Sequence, residues 1–203
     1  MLDNDKLKGQ LRKQLRAARR GLSAADHASR SKLAASFVAR LAAFKTGSRI
    51  AVYLPFDGET DPSALVAAAR RRRIRVYVPV IVSLRHRRLR FYPLSVKTRR
   101  GAFGIFIPHA AVHRNAVGPR WFDLIAVPLV GVDRLGRRLG MGGGFYDRAL
   151  AWRRWRRHWR GPRLVGLAFD CQRAGSVPAL DHDVRLDALA TESGIEIFSW
   201  GDR

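Results

Sequence analysis

At 203 residues and 47% hydrophobic content the chain is long enough for one domain with a full core, and no apolar run approaches the roughly 20 residues that span a bilayer. A single cysteine, Cys171, excludes an intramolecular disulfide and a cysteine metal cluster, and no apolar leader follows Met1, so the cytoplasm is the expected compartment. Lys and Arg number 39 against 16 Asp and Glu, a formal net charge of +23, which leaves two readings open: affinity for polyanions, or a compositional bias with no specific use.

Leu7 to Arg20 reads as a basic amphipathic helix, with Leu7, Leu11 and Leu15 at i, i+4 and i+8. Lys8 and Arg12 form a second i, i+4 pair beside that stripe, so both cations can point the same way. Ser23 with Asp26 resembles a capping box. The helix it opens is expected to present Leu33, Phe37, Leu41 and Phe44 on one face and to stop near Gly47. Arg49 to Leu54 is strand-like. Asp61 is the expected N-cap, and Pro62 the first residue, of a helix reaching Arg72. Ile74 to Pro79 reads as a second strand, and Arg88 to Tyr92 alternates as a half-exposed strand does. Residues 101–119 are loop-rich. Leu124 to Val130 is a buried central strand, followed by a helix from Phe145 to about Trp159. Arg163 to Phe169 and Gly194 to Trp200 supply further strands.

Strands alternating with helices imply an α/β fold: an open, mostly parallel sheet with helices on both faces and an N-terminal helical segment. No repeat or long linker divides the chain, so residues 1–203 are read as one domain. Ala151 to Arg160 interleaves tryptophan and arginine, which suits nucleic acid through stacking and phosphate contacts. Helical spacing of Trp152, Trp155 and Trp159 favours a packing face instead.

The most informative stretch runs from Asp133 to Arg148. It places Gly140, Gly142, Gly143 and Gly144 between a buried strand and a helix, the arrangement that holds phosphate on backbone N–H groups. Arg137, Arg138 and Arg148 add positive charge, and Asp147 could hold a metal. The loop is not a Walker A motif, since no Gly-Lys-Ser/Thr follows, and its spacing is not that of a dinucleotide fingerprint.

Leu139-Gly-Met-Gly-Gly-Gly-Phe-Tyr-Asp-Arg148, after Pro128 to Gly136, closely resembles the signature of the 5-formyltetrahydrofolate cyclo-ligases, also called 5,10-methenyltetrahydrofolate synthetases. Lys8 with Arg12, Tyr53 to Glu59, and Val177-Pro178 followed by Asp181-His-Asp183 match the family in order, so the resemblance covers nearly the whole chain. It implies the open sheet shared with sugar-phosphate isomerases and coenzyme A transferases. It also implies ATP- and Mg²⁺-dependent closure of 5-formyltetrahydrofolate, polyglutamylated or not, to the 5,10-methenyl form by an enzyme expected to act as a monomer.

By that resemblance Lys8, Arg12, Arg138, Leu139, Gly140, Met141, Gly142, Gly143, Gly144, Phe145 and Tyr146 would bind ATP. Leu54, Glu59, Met141, Gly142, Gly143, Gly144 and Phe145 would bind the folate. Arg138, Tyr146 and Asp147 would carry the chemistry, and Asp147 with Asp183 would hold Mg²⁺, which favours one or two carboxylates plus phosphate oxygens. Asp181 competes with Asp183 for that role, and Glu59 could instead cap the helix near Pro62. Two rivals stand beside this reading: a basic nucleic-acid-binding protein on the same scaffold, and a sugar-phosphate isomerase that needs no ATP.

Overall fold

The structure, a computed structural model, describes residues 2–94, 98–100, 106–108, 115–155, 161–180 and 183–199. Helix α1 spans Leu2–Arg20 and α2 spans Ala24–Val38. Strand β1 (Arg49–Ala51), helix α3 (Ser63–Arg71), and strands β2 (Arg75–Ser83) and β3 (Arg88–Pro93) follow. A small pair, β4 (Thr98–Arg100) and β5 (Phe106–Pro108), precedes β6 (Leu124–Val127). Beyond it come the hairpin β7 (Gly131–Val132) and β8 (Arg138–Leu139), helix α4 (Phe145–Leu150), and strands β9 (Arg163–Leu167), β10 (Ala188–Thr191) and β11 (Gly194–Ile197).

Seven strands form one sheet in the order β11-β10-β9-β6-β1-β2-β3. The five inner strands run parallel, and β11 and β3 lie antiparallel at the edges. Strand alternation divides the core between the two faces. Ile50, Leu124, Val165 and Ala188 point toward α2 and α3, while Ala51, Ile125, Leu164 and Leu189 point toward Leu150 of α4. From β1 the chain winds outward to β2, and from β6 it winds the opposite way to β9. The gap between β1 and β6 is therefore the point where the winding reverses, and open parallel sheets bind ligands in the crevice outside the strands' carboxyl ends there.

Several expectations are corrected. The inward face of α1 is Lys8, Leu15 and Arg19, while Leu7 is 45% exposed. Long basic side chains cover apolar surface with their stems and carry the charge to a polar partner. Ser23 does cap α2, its Oγ accepting from the Asp26 amide at 3.1 Å, but α2 ends at Val38 and buries Ala34 and Ala35. Leu33 is 49% exposed, because small alanines let α2 lie close to the sheet and α3; of the expected face Phe44, in the turn beyond, is buried in the core, and Leu41 packs against it. Gly47, at φ +85°, serves that turn rather than the helix end. Pro62 takes the cap position of α3, although the Asp61 carboxylate still accepts from the Ser63 amide at 2.8 Å. Helix α4 has six residues and gives way to a 3₁₀ turn, Ala151–Trp155. Trp159 lies outside the described residues. No helix among the described residues is long and apolar enough to cross a membrane.

One buried ion pair ties α1 to both loops at the reversal point. Arg19 donates from Nη2 to Asp57 Oδ2 at 3.0 Å, from Nε to the Asp57 carbonyl at 3.0 Å, and from Nη1 to the Leu129 carbonyl at 3.2 Å. Arg16 and Arg20 also bind the Asp57 carboxylate. Burial works against the ionised Asp57, but the hydrogen bonds from Arg16 and Arg20 and the charges of Arg16 and Arg19 prevail and hold its pKa at about 2. We predict that Arg19→Met, which removes these hydrogen bonds while Asp57 keeps Arg16 and Arg20, lowers stability by about 1–3 kcal/mol in urea unfolding. Since the folded pKa of Asp57 is depressed, its contribution is complete above its usual 3.8 and fades as pH falls toward about 2. The gap between parent and variant should narrow over that window.

Candidate active site

A cleft of about 1110 Å³ opens at the carboxyl edge of β1 and β6. Its walls come from Tyr53, Leu54, Phe56 and Glu59 after β1, Pro128 and Leu129 after β6, the loop between β8 and α4, Asp5, Lys8 and Arg12 of α1, and Asp183. Every residue expected from the sequence to serve a site (Lys8, Arg12, Leu54, Glu59, Arg138 to Asp147, and Asp183) lines this one cleft.

The first half of the cleft is a cationic cradle. The β7–β8 hairpin that delivers the loop is held by buried Asp133, whose Oδ1 accepts from the Leu135 and Arg137 amides and whose Oδ2 accepts from the Val177 amide. Beyond β8 the chain passes through left-handed conformations at Gly142 (φ +97°) and Gly144 (φ +67°), which other residues adopt only with strain. A side chain at Gly143 would sit 2.8 Å from the Phe145 ring. Arg12 donates from Nε to the Gly140 carbonyl at 2.8 Å, and its guanidinium stands 3.7 Å from where a Cβ on Gly142 would be. A glycine-only loop thus lies directly against a cation. With only six residues, α4 contributes little dipole, so anion affinity here falls to Lys8, Arg12 and Arg138 rather than to the helix.

Two carboxylates of the cradle, Asp147 and Asp183, are paired. Asp147 Oδ1 accepts from Arg138 at 2.6 Å and from the Val184 amide at 3.1 Å. Asp183 Oδ2 accepts from Lys8 at 3.2 Å and from the Leu180 amide at 2.9 Å. The Asp147–Val184 bond brings Asp147 beside the residue that follows Asp183, so the two acids share one wall. Asp181 lies outside the described residues. Both bonds to Asp147 end on Oδ1. The donor set, two carboxylates beside clustered cations, suits a hard divalent ion that takes its remaining oxygens from other ligands and water.

The second half is apolar and holds one acid. Glu59 is buried and accepts from the Phe56 amide through Oε2 at 3.2 Å. It does not cap α3, since Asp61 meets the Ser63 amide. Burial lifts the Glu59 pKa to about 7, against the pull of the Arg19 charge and the Phe56 N–H. Two tyrosines flank it. Tyr53 donates to the Thr60 carbonyl at 2.7 Å, whereas the buried Tyr146 hydroxyl has no partner among the described residues. Burial first, and the Glu59 charge second, raise the pKa of both phenols. The Arg138 guanidinium lies 5.9 Å from the Tyr146 ring centroid and so joins the two halves.

Arg19 supports this site without having been singled out by the sequence, and Tyr53, Asp57 and Asp133 lie within the matched stretches but were given no role there. The spacing of Lys8, Leu15 and Arg19 carries the signal for the first of these, but neighbouring Arg16 and Arg20 conceal which cation turns inward.

A cationic cradle joined to a desolvated carboxylate, at the reversal point of an open parallel sheet, defines the class: an α/β protein with its ligand cleft at the carboxyl ends of the strands. The profile of the 5-formyltetrahydrofolate cyclo-ligase family matches residues 4–192, and the chain belongs to that family of ligases. It is 32% identical over 187 residues to the 5-formyltetrahydrofolate cyclo-ligase of Haemophilus influenzae, covering 90% of this chain and 96% of that one. It is 36% identical over 153 residues to the protein of the same name from Escherichia coli strain K12, covering 74% and 80%. The NMR structure of Aquifex aeolicus 5,10-methenyltetrahydrofolate synthetase is similar at a TM-score of 0.79 and 30% identity, over 97% of this chain and 95% of that one. A Mycoplasma pneumoniae synthetase, at a TM-score of 0.70 and 24% identity, shares the fold. Family membership sets aside the isomerase alternative.

Because its folded pKa of about 7 lies above the usual 4.5, Glu59 binds its proton more tightly in the folded protein than in the unfolded chain. Stability therefore falls as pH rises through that interval, and the full penalty stands above it. We expect Glu59→Gln to exceed the parent in stability at pH 8 by on the order of 1–3 kcal/mol, and to match it closely near pH 4. Equal denaturant midpoints at both pH values would show that Glu59 is not desolvated.

Proposed function

We propose that the protein closes 5-formyltetrahydrofolate to 5,10-methenyltetrahydrofolate at the expense of ATP, releasing ADP and phosphate. The observation that carries this reading is the meeting, in one cleft, of the glycine–arginine cradle and the buried Glu59. One half suits a triphosphate, and the other suits a pterin ring.

A formyl oxygen bound to carbon is a poor leaving group until it carries phosphate. In the first step it attacks the terminal phosphorus of ATP, the bridging P–O bond breaks, and ADP leaves. The lone pair of folate N10 then attacks the activated formyl carbon of the resulting imino-phosphate. Loss of the N10 proton and of phosphate completes the five-membered ring. Such a reaction asks the protein for position and charge neutralisation more than for covalent help.

In this reading Lys8, Arg12 and Arg138 neutralise the triphosphate, and the backbone from Leu139 to Gly144 holds it beside Phe145 and Tyr146. Glu59 accepts from the amino-pyrimidinone edge of the pterin, and Leu54, Met141 and Phe145 pack against the ring. Tyr146, whose hydroxyl is buried without a partner, offers a donor at the junction of the two halves. Asp147 and Asp183 would hold Mg²⁺. Bound there, the ion supplies further neutralisation of phosphate charge. The whole chain acts as one catalytic domain, a cytoplasmic monomer.

The test is near-ultraviolet absorbance of the methenyl product, with 5-formyltetrahydrofolate, ATP and Mg²⁺ each omitted in turn. Product should need all three. Asp147→Asn should lower kcat/KM by roughly 100-fold or more, about 2.7 kcal/mol of transition-state stabilisation, with the circular dichroism spectrum unchanged. Full turnover by the folded variant would remove Asp147 from the mechanism.

A further inference from the structure

The opposite ends of the same parallel strands carry a second surface, remote from the cleft. Arg49 and Arg75 open β1 and β2 in register, and Arg163 opens β9 beside Leu124 of β6. A 3₁₀ turn, Pro119–Trp121, leads into β6. Within it Arg120 stacks on Trp152 with its guanidinium 5.0 Å from the ring centroid, and Arg49 stacks on Trp121 at 5.1 Å. These contacts make one continuous run, Arg75–Arg49–Trp121–Arg120–Trp152.

On this edge Arg49, Arg75, Arg120 and Arg163 outnumber the acids Asp123 and Asp187. Among the described residues none of Arg49, Arg75, Arg120 and Arg163 forms an ion pair. Two acids share the edge: Asp123 accepts from the Arg49 amide, and Asp187 binds Arg153 through both oxygens. Trp121 is 58% exposed, and Arg75 and Arg120 are exposed beside it.

We infer that this edge binds single-stranded nucleic acid. The chemistry is complementary on two counts. Planar guanidiniums present paired N–H donors to phosphate, and stacking on indole rings fixes their orientation. An exposed indole takes a base face without regard to sequence, whereas a duplex keeps its base faces stacked and offers only phosphates. None of the five residues in the run lines the cleft, so this function is separate from the folate reaction and does not rest on it.

The experiment uses the full chain and a fluorescent single-stranded RNA of about 12 nucleotides, a length within the usual footprint of such sites. Anisotropy at physiological salt should report a complex that weakens as salt rises and binds the matching duplex less tightly. Trp121→Ala, and separately the pair Arg49→Ala with Arg120→Ala, should each weaken binding roughly fivefold or more at constant salt. Methenyl-product formation should be unchanged in both. Absence of a complex at physiological salt, equal affinity for duplex, or full RNA affinity in the folded variants would each overturn the proposal.

Discussion

Everything in the cleft depends on a guanidinium with no access to water. Arg19 joins three segments that meet where the sheet reverses its winding: its own helix, the turn after β1 and the loop after β6. Its helix carries Lys8 and Arg12, the turn carries Glu59 two residues past Asp57, and the loop leads into the hairpin that presents the glycines. A buried ion pair gives little net stability relative to an apolar replacement, but it tolerates no sliding, because any slip strands a charge away from water. Asp57 makes the arrangement stricter still, since it receives three arginines while holding a left-handed backbone at φ +57°.

The turn after β1 shows how environment decides the state of a carboxyl group. Asp57 and Glu59 are separated by one residue, and both lose hydration on folding. Hydrogen bonds and charges from arginine overcome that loss at Asp57 and hold it ionised. At Glu59 only one backbone N–H and the more remote Arg19 oppose burial, so desolvation prevails. A single turn thus sets a permanently charged anchor beside a group poised to change its charge near neutral pH.

The glycine loop was legible because its information is local: four glycines, an arginine and an aspartate within a dozen positions fix both geometry and charge. The sheet was legible from its buried runs, and Lys8 with Arg12 from their spacing. Strand β10 was not read, because Ala188-Leu-Ala-Thr191 is four residues long, buried throughout, and too short for periodicity to separate from a loop. The face of α2 was misjudged for a related reason. Pattern reading rewards large apolar residues, whereas close packing against the sheet rewarded Ala34 and Ala35 and left Leu33 outside. Arg19 escaped notice because burial of a charge depends on a partner that sequence spacing does not reveal.

The bond from Lys8 to Asp183 has a consequence in time. Its two ends are separated by 175 positions, and those joining Arg12 to Gly140 by 128. Asp57 follows the basic helix closely and can meet Arg16, Arg19 and Arg20 early, but Lys8 and Arg12 wait during synthesis until Asp183 and Gly140 emerge. Contacts this distant are slow to form, because a long loop must close before they return any stabilisation. The cradle is therefore completed only late in folding, and a chain halted before its last two dozen residues would hold the glycine loop without Asp183, the partner of Lys8.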